Sequence, residues 1–277
     1  MDARFRPSPD TGHLSVFTAS LALALLLARL VRLPLRWETA LNLPGLYVPV
    51  KVTTAGVSAV LIAALCLGGT LGMLSRHPTV RREQPPLLSL VPHAVLPMVA
   101  AWGLEILLQR LPLGLAWLLA FGVGMAFLMA VLLAEFTVAD PNDVRYPWAA
   151  TTVNVLGYLT LFVLAYSLHA AAWRLVYALP ILGLAVTLVA LRALRLKFPE
   201  RWLPIEALLV ALVTLHPAAA WRYFPLPSVP YAILVVAVAY AATLFVANVL
   251  EGQPVREALS EPLLALTLLA VVSVWTW

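Results

Sequence analysis

In the stretch EFTVADPNDVRYPW, Glu135, Asp140 and Asp143 stand close together in an otherwise apolar chain. Three carboxylates at short spacing are the donor set of a hard divalent cation, or the makings of general acid–base chemistry. The spacing matches no calcium-binding loop. Asp140, Asn142 and Asp143 around Pro141 are turn formers that bond to their own backbone, and Pro147 suits the first turn of a following helix. The residues therefore predict a turn between two helices, with an oxygen-rich site at Glu135, Asp140 and Asp143 as the alternative.

A second set lies just beyond. Thr151, Asn154 and Tyr158 fall at i, i+3 and i+7, on one face of a helix. An Asn in hydrocarbon must find a hydrogen-bond partner, so it glues helices together or faces a solute, and Asn248 poses the same choice. Glu105, Glu206, His93, His169 and His216 are the further ionisable groups in or near apolar runs. Glu206 and His216, ten residues apart, lie about 80° apart around a helix and make no shared site. There is no His-x-x-x-His, no paired cysteine, no Gly-x-Ser-x-Gly, no phosphate-gripping glycine loop and no mid-span lysine. No metal, no cofactor and no catalytic residue is expected.

The elements that must position these groups follow from composition. The chain is 62% hydrophobic and 11% charged over 277 residues, with a mean hydropathy of +0.94. A soluble domain carries about a quarter charged residues, so water cannot be the solvent for most of this surface. A bilayer core about 30 Å thick needs roughly 20 apolar residues in a helix. On that scale the spans are Leu14–Val31, Val52–Leu74, Leu87–Leu108, Pro112–Ala134, Trp148–His169, Leu175–Leu194, Leu203–Trp221, Tyr231–Leu250 and Leu263–Trp277. The fold class is an all-α polytopic transmembrane bundle of nine spans, with eight as the nearest competitor. It forms one integral membrane domain over residues 1–277, with no stretch long enough for a soluble domain. ARLVRLPLRW after the first span offers no small-residue cleavage pattern, so that span is expected to be retained.

Net charge is +5, but the basic residues sit at span ends, which reports orientation in a membrane and not nucleic acid. With the N-terminus cytoplasmic, that side holds 11 of the Lys and Arg residues, among them Arg4, Arg6, Arg76, Arg81 and Arg82, against 7 on the other. The misfit is Arg32–Lys51, which is expected to form an interfacial or partly re-entrant segment. Trp37, Trp148, Trp173, Trp202, Trp221 and Trp275 mark span ends, where an indole prefers to sit. Leu191–Trp202 is a basic loop of the cytoplasmic side that could meet anionic lipid.

Small residues at four-residue spacing let helix backbones approach in lipid. Ala64, Gly68 and Gly72 form one such ladder; Gly122, Ala126, Ala130 and Ala134 form another, and both are expected at helix contacts. Pro92, Pro97, Pro180 and Pro217 are expected to kink their helices. The segment YAATLFVANVLEGQPVREALSEPLLAL resembles an uncharacterised family of bacterial multi-pass membrane proteins of unknown function. That resemblance implies a bacterial inner-membrane protein and carries no functional residue across. Three functions stand: a non-catalytic subunit or scaffold of a membrane assembly, whose partners are the lipid bilayer and other membrane subunits; a carrier for lipid-like or weakly polar solutes; and an intramembrane enzyme using the acidic loop.

Overall fold

The computed structural model describes residues 11–31, 36–43, 46–83, 86–141 and 143–276. Among the expectations above, those resting on Arg4, Arg6, Arg32, Asn142 and Trp277 lie outside the described residues. Apart from one hairpin the described chain is helical. In order come α1 (Thr11–Leu30), β1 (Arg36–Leu43), β2 (Leu46–Thr53), α2 (Thr54–Leu74), α3 (Pro78–Glu83), α4 (Leu87–Arg110) and α5 (Leu115–Val138). These are followed by α6 (Tyr146–Ala170), α7 (Leu175–Lys197), α8 (Pro204–Trp221), α9 (Ser228–Leu250), α10 (Val255–Ala258) and α11 (Ser260–Trp275). Among the described residues nine helices are long and apolar enough to cross a membrane, the last running Val255–Trp275 through the bend at Leu259. The chain is a polytopic transmembrane helical bundle. The ninth span, short by composition, gains its length because Pro254 starts a polar helical turn before the apolar run begins.

Arg36–Thr53, within the expected interfacial or partly re-entrant segment, takes a form that the sequence reading did not give it. It is an antiparallel hairpin in which Arg36 pairs with Thr53 and Leu43 with Leu46. The second strand, LYVPVKVT, is rich in β-branched residues, and Pro-Gly between two such runs is turn chemistry. The hairpin leads directly into α2, whose cap is Thr53; its hydroxyl accepts from Gly56 N–H at 3.2 Å. Ser75–Pro86, expected as loop, contains the short helix α3.

The chain divides into two compact units, residues 1–146 and 147–277. In the first, α4 is the interior helix: 72% of its apolar window is buried, against 28% for α2 and for α5. Its main partner is α2, with α5 next. Met73, Leu132 and Phe136 form a core cluster on which Leu14 and Phe17 of α1 pack. In the second unit α7, α8 and α11 pack around α9, with Leu194, Leu203 and Ala247 clustered at one end. At that end Lys197 pairs with Glu251 at 2.9 Å and Arg195 lies over the Trp202 ring at 5.5 Å. The expected basic loop Leu191–Trp202 is corrected, since Leu191–Lys197 are the last turns of α7 and only residues 198–202 leave the helix. Gly252 turns the chain from α9 toward α10 at φ +83°, a left-handed angle that glycine adopts without a Cβ penalty.

Candidate functional site

Glu135 sits in the last turn of α5 and is fully buried, its Oε2 3.2 Å from His93 Nδ1 on α4. Burying a carboxylate is costly unless it is paired, and the imidazole is that pair. One turn further, Asp140 Oδ2 accepts from the Thr79 hydroxyl of α3 at 3.1 Å. Asp143 is held by its neighbour: its carboxylate accepts from Arg145 N–H at 2.8 Å, Nε at 3.1 Å and Nη2 at 2.8 Å. That contact also raises the Arg145 pKa above its ordinary value. Asp143 N–H bonds Asp140 C=O at 3.1 Å and Tyr146 N–H bonds Asp143 C=O at 2.9 Å, consecutive turns that lead into α6. His77, buried between α2 and α3, rests its ring edge on Phe136 at 4.4 Å. Its Nδ1 accepts from Thr79 N–H at 3.3 Å, which leaves the proton on Nε2. Among the described residues that nitrogen has no hydrogen-bond partner. Burial lowers the His77 pKa; Asp140 and Asp143 oppose the shift, and His93 adds to it.

The second half of the site is at the opposite end of α4. Glu105 is 1% exposed, and its Oε1 accepts from Ser58 Oγ of α2 and from Gln109 Nε2, both at 2.8 Å. Gln109 also reaches Ala28 C=O at 3.3 Å, and Arg29 at the end of α1 donates to Leu111 C=O at 2.8 Å while facing Glu105 electrostatically. Between the two ends, Cys66 Sγ donates to Pro97 C=O at 3.2 Å and Thr70 Oγ1 donates to Cys66 C=O at 2.7 Å.

These contacts share one register. Ser58 meets Glu105 and Cys66 meets Pro97, so the antiparallel pair sets Ile62 level with Ala101 and Thr70 level with His93. Ser58, Ile62, Cys66 and Thr70 recur every four residues along α2; His93, Pro97, Ala101, Glu105 and Gln109 do so along α4. The result is a polar seam along the α2–α4 contact, with buried carboxylates at its two ends and an apolar plug of Ile62 and Ala101 in between. Glu105 is twelve residues from His93, about 18 Å along the helix axis. Pro97 has no N–H, so the His93 carbonyl lacks its helical donor in the middle of the seam.

The predicted polar face of α6 divides. Thr151 is exposed and its hydroxyl donates to Pro147 C=O at 3.0 Å on its own helix. Asn154 is half-buried. Tyr158 makes an edge contact with Tyr240 at 5.2 Å and bonds Thr243, linking α6 to α9. Asn248 is buried and donates to Ala258 C=O at 3.4 Å, fastening α9 to α10. His169 stacks on Tyr231 at 4.2 Å and meets Ser228 Oγ at 3.1 Å, while Arg222 donates to the Trp173 and Leu168 carbonyls.

Of the small-residue ladders, Ala64, Gly68, Gly72, Gly122, Ala126 and Ala130 are exposed and Ala134 is buried. A Cβ added at Gly68, Gly72 or Gly122 would meet nothing within 4 Å. Close approach occurs at Gly69, where a Cβ would strike the Phe17 ring, and at Gly124, where it would strike Leu104. Among the described residues no group of three or more His, Cys, Asp or Glu converges as a metal site. Sequence reasoning passed over His77, Ser58, Thr70 and Gln109; the four-residue recurrence of polar residues on α2 and α4 is the signal that would have found the last three.

A family described as "Protein of unknown function (DUF5656)" matches residues 33–276, and the chain belongs to that family. No curated protein and no solved structure matches it.

Proposed function

From the α2–α4 seam, we propose that the protein is a proton-coupled carrier for weakly polar or lipid-like solutes. The carrying observation is that Glu135 and Glu105 are both buried, both hydrogen-bonded, and at opposite ends of one interior helix. Ionisable groups are expensive in hydrocarbon, and their usual use there is to carry ions or protons. A proton arriving on Glu135 passes to His93 Nδ1; on the far side Glu105 takes up and releases the proton, its carboxylate held in place by hydrogen bonds from Ser58 and Gln109. The Ile62–Ala101 plug separates the two acids, so a proton crosses only as α4 moves about its prolines, in a cycle that an imposed gradient drives even without solute. On the Lys and Arg distribution, the Glu135 end faces the cytoplasm of a bacterial inner membrane and the Glu105 end faces outward.

Reconstituted liposomes carrying a trapped pH dye test this under an imposed proton gradient. The wild type is expected to pass protons, and Glu135→Gln and Glu105→Gln each to lower the flux by roughly tenfold, since each removes one exchange site. Wild-type flux equal to that of protein-free liposomes, or an unaltered Glu135→Gln variant, refutes the carrier.

A second reading, a subunit of a larger membrane assembly, is favoured by the outward-facing Ala64, Gly68 and Gly72 and by Gly122, Ala126 and Ala130. Small residues on a lipid-facing side let another helix approach. Mild-detergent co-purification distinguishes this from a protein that works alone.

A further inference from the structure

We propose that the cleft between the start of α1 and the end of α2 seats one anionic phospholipid. It has a volume of about 190 Å³ and lies on the outer side of the first unit, at the same end as Glu135. Its floor exists because of glycine. Gly69 allows the Phe17 ring to lie on the α2 backbone, a position in which any Cβ would collide with the ring. Gly72 leaves open the space one turn further on, with no atom within 4 Å of where its Cβ would stand. Phe17 and Met73 make the bottom apolar and continue into the core cluster of Leu132 and Phe136, so the base of the cleft is firm.

The rim is cationic. Arg76 and His13 border the cleft at the level where α1 begins and α2 has ended. Among the described residues Arg76 forms no ion pair, and exposed Arg81 and Arg82 follow on α3. An apolar trough running down a membrane helix from a guanidinium at its rim matches a lipid with a phosphate on top and methylenes below. The guanidinium offers two parallel N–H donors to phosphate oxygens, a geometry that an ammonium cannot reproduce. The preference for a net anionic headgroup over a zwitterionic one comes from Arg76 at the rim, which has no acidic partner among the described residues. The occupant is thus a membrane phospholipid of phosphatidylglycerol type, bound independently of the proton seam.

The full chain, purified in mild detergent, is incubated with equimolar phosphatidylglycerol and phosphatidylcholine and examined by native mass spectrometry. The wild type is expected to retain one phosphatidylglycerol in several-fold preference to phosphatidylcholine. Arg76→Gln is expected to bring the two lipids to parity, and Gly72→Leu, which fills the cleft from an exposed position, to lose both while melting like the wild type. Equal retention of the two lipids by the wild type overturns the proposal, as does undiminished phosphatidylglycerol on a folded Gly72→Leu protein. Benzophenone-alanine in place of Val16, an exposed residue on the edge of the cleft, identifies the occupant directly. A cross-link to lipid supports the site, whereas a cross-link to residues 1–10 or to a second copy of the chain overturns it.

Discussion

Asp143 and Glu135 are both buried carboxylates of one acidic stretch, yet different kinds of group satisfy them. Asp143 is bonded by Arg145, two residues away, and its role in the turn is written into the local sequence. Glu135 is bonded by His93, 42 residues away, and Asp140 by Thr79, 61 residues away. Neither partner is legible from ADPND, because a side chain's local backbone preferences say nothing about which distant helix faces it. His77 makes the stability of the protein depend on acidity. Its folded pKa lies below the ordinary 6.5, so in the range beneath 6.5 the unfolded chain holds more protons than the folded one. The stability His77 contributes is complete above pH 6.5 and is lost as the pH falls through that value toward the folded pKa. Thermal melts in detergent at pH 7.5 and 5.5 are expected to show a drop on acidification that His77→Gln reduces. A variant with the same drop as the wild type would place the acid sensitivity elsewhere.

At the scale of the helix, four-residue spacing recurs on more than one face of α2. The ladder Ala64–Gly68–Gly72 and the stripe Ser58–Ile62–Cys66–Thr70 have the same period; the first lies exposed and the second is the α4 contact. Periodicity predicts that a face exists, and only the neighbouring helix decides which face it covers. The contrast is sharpest in α5. Gly124 abuts the buried Leu104 of α4, while Gly122, two residues away, faces open space. Gly124→Leu is expected to destabilise the protein by about 1–3 kcal/mol through overpacking. Gly122→Leu should lie within about 0.5 kcal/mol of the wild type, as exposed substitutions usually do. Denaturant titrations of the two variants in the same detergent compare them, and equal effects would mean that α5 is rotated about its axis from the arrangement described.

At the scale of the whole molecule, the exposed ladders matter again. Hydrophobic burial does not drive helices together in lipid, so association depends on backbone proximity at small residues. Paired Gly68→Leu and Ala126→Leu substitutions are expected to strip any co-purifying partner or second copy from the protein without altering its own melting. A wild type that runs alone in mild detergent would remove the subunit reading and leave the carrier.

The nine spans and the membrane as solvent were decided by sequence alone, because length and hydropathy are sums over local side chains whose transfer from water is favourable wherever they sit. Most span ends came within a few residues, and the ninth span starts eight residues earlier than expected, since polar ends such as Thr11, Ser228 and Val255–Ala258 continue a helix after it has left hydrocarbon. The hairpin at Arg36–Thr53 was missed because its strands are defined by pairing with each other across a turn, which an apolar-run scan does not register. The seam belongs to tertiary structure alone. Which polar group meets which is set by the α2–α4 register, and that register is chosen by packing between residues roughly thirty to fifty positions apart.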